Sequence, residues 1–130
     1  MRVLSNRAVV PTGTNVAVTF LELDGLGVLK AVCAQADIYA SVYWSPPNSS
    51  VDYWSDQNST GALVPGSTSG ATVTVAFHEV ASDQRGSTLQ IGYGGYGLQA
   101  RMATVTIGVF RPAVSAGCSV QAMATIWTKP

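Results

Sequence analysis

Lysine is nearly missing from this chain. Lys30 and Lys129 are the only two in 130 residues, and His78 is the only histidine. A protein that grips a phosphate backbone needs clustered cations to release counterions. The nearest approach to a basic arm is the pair Arg2 and Arg7, so nucleic acid is excluded as a partner. Charged residues amount to 11% and the formal net charge is zero, against a usual charged share of about 25%. Without net charge, little colloidal repulsion keeps monomers apart, and self-association is expected. Long apolar runs are missing too. A membrane span needs ~18 such residues, and the best candidate, Val16 to Ala34, is broken by Glu22, Asp24 and Lys30. The stretch from Met1 to Arg7 has no apolar h-region of a secretory signal. A chain that starts at this Met is expected to be made in a cytosol and not exported by the general route. The sequons at Asn48 and Asn58 then read as incidental to a Ser/Thr-rich stretch.

The motifs of catalysis are also lacking: there is no GxSxG, no GxGxxG and no P-loop. His78 and its neighbour Glu79 alternate onto opposite faces of an extended strand and cannot form a dyad. Asp24 and Asp83 fall at predicted turns, where short carboxylates cap local backbone. Asp52, Asp56 and Asn58 share one polar stretch, but the glycine and bidentate Glu of a calcium loop are absent. No enzyme activity and no cofactor or metal is expected. Cys33 and Cys118 fit no zinc or redox spacing. They read as two buried small hydrophobes, an expectation that a cytosolic origin favours over a disulfide.

What the chain has is hydroxyls, glycine and alternation. It carries 13 Ser, 12 Thr and 13 Gly, and 47% of it is hydrophobic. That is enough to fold as one domain over residues 1–130. The dominant period is two. Val16, Val18 and Phe20 alternate with their neighbours, and Asp24-Gly25 gives a strong hairpin signal before Leu26 to Cys33. Ile38 to Trp44 alternates again until Pro46-Pro47 stops it. Pro46 to Gly70 reads as a long polar loop, interrupted only at 51–54 and 62–64. Ala71 to Val80 and Ser87 to Tyr93 read as a second hairpin about the turn at 82–86. Gln99 to Phe110 turns Ala103, Val105, Ile107 and Val109 to one face. Cys118 to Trp127 turns Val120, Ala122, Ala124 and Ile126 inward, leaving Gln121, Met123 and Trp127 outside. No window is a capped amphipathic helix. The predicted fold is all-β, an antiparallel β-sandwich of jelly-roll-like type with seven or eight strands.

Aromatic residues outside the strand cores mark the candidate contact surface. Tyr53 and Trp54 stand in the polar loop, Tyr93 and Tyr96 in the glycine stretch 92–97, and Trp127 near the end of the last strand. Tyr and Trp in such places anchor interfaces or stack on sugars. For Trp54 the alternative is a plug over one open end of the sandwich, whereas Trp44 reads as core.

Size, scarce Lys, abundant Ala, Gly, Ser, Thr and Val, unbroken strand alternation and the missing signal peptide together give the chain a style. In that style it resembles the virion structural β-sandwiches of tailed bacteriophages, of the head-decoration or tail-surface kind. The resemblance covers the whole chain and carries over no functional residue. It implies a non-enzymatic protein that assembles on a capsid or tail as a homo-oligomer and resides in the virion. Two other readings stand beside it. One is a glycan- or host-receptor-binding module using Tyr53, Trp54, Tyr93 and Tyr96. The other is a projecting domain of a small icosahedral virus coat protein.

Overall fold

The computed structural model describes residues 1–11, 17–33, 40–47, 51–55, 64–68, 70–78, 83–93, 101–111 and 117–128. They form ten strands and no helix. These are β1 (Arg2–Val10), β2 (Val18–Glu22), β3 (Val28–Cys33), β4 (Ala40–Ser45) and β5 (Val51–Ser55). After them come β6 (Val64–Thr68), β7 (Val73–His78), β8 (Asp83–Tyr93), β9 (Arg101–Arg111) and β10 (Cys118–Thr128). Two antiparallel sheets result. One has six strands in the order β1-β10-β9-β8-β5-β6, the other four in the order β2-β3-β4-β7. The all-β sandwich expected from the period-two pattern is therefore present, with three strands more than the seven segments read from the sequence.

The β2–β3 hairpin forms where Asp24-Gly25 places it. Asp24 (φ 55°) and Gly25 (φ 90°) both take the positive φ that a type I′ turn requires, and the Leu26 amide donates to the Leu23 carbonyl. Leu23 and Leu26 are fully buried on either side of the turn. Trp44, also fully buried, donates its indole N–H to the Leu26 carbonyl at 2.8 Å. One indole thus fills the core between the sheets and fixes the hairpin turn above it.

Three expectations are corrected. First, 71–80 and 87–93 do not form a hairpin. β7 pairs with β4 in the smaller sheet, while β8 pairs with β9 and β5 in the larger one. The chain crosses between sheets there, Ser87 Oγ on β8 donates to the Val75 carbonyl on β7, and the supposed turn residues 83–86 are the start of β8. Second, part of the supposed loop from 46 to 70 is sheet: β5 and β6 pair antiparallel, with Val51 opposite Thr68 and Ser55 opposite Val64. Proline is tolerated at Pro65 because β6 is an edge strand. Third, Cys33 and Cys118 are disulfide-bonded, with Cα atoms 5.8 Å apart across 85 residues of chain. The bond joins the end of β3 to the start of β10, hence one sheet to the other. Spacing alone could not reveal it, because the sandwich brings together positions from opposite ends of the chain.

Candidate interaction face

The inner face of the large sheet is mostly apolar, with the hydroxyls of Ser55 and Ser87 buried among its hydrophobic side chains. Val105, Ile107, Val120 and Ala124 are buried against the smaller sheet, as the alternation required. The same register fixes the outer face. Trp127 pairs with Met102, Thr125 with Thr104, Met123 with Thr106 and Gln121 with Gly108. On the far side of β9, Thr106 pairs with Thr88, Thr104 with Gln90 and Met102 with Gly92. Beyond β8, Trp54 pairs with Gln90 and Asp52 with Gly92. On β1, Val3 lies opposite Thr125, Ser5 opposite Met123 and Arg7 opposite Gln121.

This face is broad, rich in hydroxyls and poor in charge. Among its described residues the charged groups are Arg7 and Asp52. Its large apolar side chains are exposed: Trp54 to 47%, Trp127 to 51%, Met102 to 61% and Met123 to 55%. Single exposed hydrophobes are ordinary, whereas several gathered on one sheet face make it the candidate interaction surface. A shallow depression of about 450 Å³ opens on the same face beside Gly108, among Thr106, Gln121, Met123, Ser5 and Arg7. Its rim is tied by Arg7, whose Nη2 donates to Gln121 Oε1 at 3.2 Å.

The structure separates the aromatics that the sequence grouped. Tyr53 and Trp54 are neighbours on β5 and so point to opposite faces. Tyr53 turns inward with Val51 and Ser55. Its ring meets that of Trp44 edge-on, with centroids 5.5 Å apart and planes at 74°, and it also covers Gly66 on β6, where a Cβ would collide with it. An aromatic laid over a cross-strand glycine supplies the packing the glycine lacks. Trp54 turns outward and is half exposed, so the indole that seals the core is Trp44. Trp127 shares the outer face with Trp54, roughly 16 Å away by ladder spacing. Tyr93 ends β8, its side chain outside the described residues, and Tyr96 lies wholly outside them. So do both sequons, Asp56, and the side chain of His78. Sequence reasoning did not single out Met102, Asp52 or Gln90 as members of this face. Their parity with Trp54 and Thr104 would have placed them there once β5 was recognised as a strand.

Among the described residues no helix is long and apolar enough to cross a membrane. Comparison with known proteins returns no matching family model, no matching curated protein and no matching solved structure.

Proposed function

We propose that this protein is a non-enzymatic structural component of a virion, of the capsid-decoration or tail-surface kind, and that it assembles as a homo-oligomer through the outer face of its six-stranded sheet. The observation that carries this reading is the exposure of Trp54, Met102, Met123 and Trp127 together on a nearly uncharged face. Interface cores are depleted in Lys and Glu and enriched in aromatics and Met, and this face has that composition. The disulfide agrees with a protein that works outside the reducing cytosol, virion surfaces being one place where such bonds persist. In the large sheet the order β1-β10-β9-β8 is that of a Greek key closed through the other sheet. A jelly roll is built of two such keys, and we read the sandwich as jelly-roll-like on that ground.

Trp54→Ala separates a contact from a structural role. Truncating a buried interface anchor costs about 2 kcal/mol or more of association, roughly a 30-fold weaker constant. The melting temperature of the isolated domain should barely move, because the side chain faces away from the core. Sedimentation equilibrium and thermal melts of the variant check both halves. A large drop in melting temperature with unchanged association would reverse the assignment.

A second reading rests on the neighbours of Trp54. Asp52 and Gln90 put a carboxylate and an amide beside an exposed indole, the combination that stacks on a sugar ring and holds its hydroxyls. Glycan-array binding that disappears in Trp54→Ala would favour it over assembly.

A further inference from the structure

The outer face has a second feature besides its composition: one row sets a large side chain beside a vacant position, Met102 on β9 opposite Gly92 on β8. We infer that the partner of this face is a second copy of the chain, stacked sheet on sheet about a two-fold axis that runs parallel to the strands between β8 and β9. The inference rests on the assembly reading above and adds to it the partner and the symmetry.

The axis position follows from the strand order. β9 and β8 are the third and fourth of six strands, so an axis between them overlaps the two faces most fully. It lays β9 on the partner's β8, β10 on its β5 and β1 on its β6. Twisted sheets pack face to face when their strands stay nearly aligned, because both surfaces then curve the same way. A two-fold axis along the strands satisfies this condition.

Positions that share a row in the register then meet across the interface. Met102 projects over the partner's Gly92, where no side chain stands, and by symmetry the partner's Met102 projects over Gly92. Trp127 lies over the partner's Asp52, so the one described carboxylate on the face meets an indole N–H as it leaves water. Val3 lies over the partner's Pro65. Arg7 sits further along β1 than the short β6 of the partner reaches, and stays in solvent at the rim. At about 4.8 Å between strands and 3.3 Å per residue, the overlap covers roughly 600 Å² per copy. A standard stable interface buries about 800 Å² per partner. An axis across the strands at the Thr104 row fits less well. It would lay each strand on its own copy, so that Trp127 would meet the large side chain of Met123 and Met102 would meet Thr106 rather than a glycine.

Cross-linking between two variants that each carry one introduced free thiol beside the Cys33–Cys118 disulfide tests the arrangement. Val3→Cys and Pro65→Cys change exposed positions on opposite edges of the sheet, about 24 Å apart within one chain by strand spacing. The proteins are mixed, allowed to exchange and treated with a short bis-maleimide, and the products are identified by peptide mass. The stack predicts a dimer cross-linked between the introduced thiol of the Val3→Cys chain and that of the Pro65→Cys chain, in excess over either homodimer. If Pro65→Cys melts lower than the parent, Ser67→Cys on the same face of β6 takes its place. Association of the parent with no 3-to-65 product, or with 3-to-3 product dominant, overturns the two-fold stack while leaving the assembly reading intact. A parent protein that stays monomeric under the mixing conditions removes both.

Discussion

Trp44→Ala should bring the domain close to unfolding. Truncation of a buried Trp costs about 3–5 kcal/mol through lost transfer energy and the cavity left behind. Here the indole is fully buried, and its N–H serves the Leu26 carbonyl. Leaving that carbonyl unpaired in the core adds a further penalty of about 1–3 kcal/mol. The edge-on contact with Tyr53 is lost as well, and the ring that covers Gly66 loses its backing. Small domains are stable by only about 5–15 kcal/mol, so the loss is a large part of the total. Trp44→Phe keeps most of the volume and removes only the donor, and should cost about 1–3 kcal/mol. Urea titrations of the two variants check the ordering. An Ala variant no less stable than the Phe variant would show that Trp44 is not the centre of the core. Trp54→Ala is the internal comparison: the same chemical change ten residues on, at a half-exposed indole on the outer face, should cost the fold almost nothing.

Removing the disulfide should cost nearly as much. Cys33 and Cys118 close a loop across 85 residues, and the chain-entropy model gives about 4–5 kcal/mol for a loop of that length. Both cysteines are buried, so Cys33→Ala with Cys118→Ala leaves two small apolar groups in place of the bond and no unpaired polar atom. The expected loss is therefore about 2–5 kcal/mol, the span seen when native disulfides are removed. The denaturant slope should rise, because an unlinked unfolded chain exposes more surface. Urea unfolding of the parent with and without reductant, beside the double variant, measures both. Identical midpoints in all three would mean that the two sheets do not depend on this link.

The parts of the fold legible in the sequence are those where one face is apolar and the other is not. β9 and β10 could be read residue by residue because Val105, Ile107, Val120 and Ala122 alternate with Thr, Gln and Met. The β2–β3 turn was legible because Asp-Gly accepts the positive φ that few other pairs do. β1 was hidden because its parity is inverted in places: Asn6 points inward and donates to the Phe20 carbonyl of β2, while Val3 and Val9 point outward. β5 and β6 were hidden because they contain Asp52, Pro65 and Gly66, residues that normally end strands. What compensates for Gly66 is the Tyr53 ring from the next strand, a tertiary contact that local pattern cannot show. The site was legible in part for the same reason. Trp54 and Trp127 stand out in the sequence as large aromatics in polar surroundings, whereas the separation of Trp54 from Tyr53 is visible only once β5 gives the pair a strand's two faces.

The proposed assembly runs through the outer face of the six-stranded sheet. Sedimentation velocity over a concentration series, run on the parent and on Trp127→Lys, tests it most directly. Trp127 is half exposed at the end of that face, so a lysine there should leave the melting temperature within a few degrees of the parent. The parent should sediment as a dimer or larger species, and Trp127→Lys as a monomer over the same concentrations. A parent that is monomeric throughout, or a variant that associates as strongly as the parent, would rule out assembly through this face.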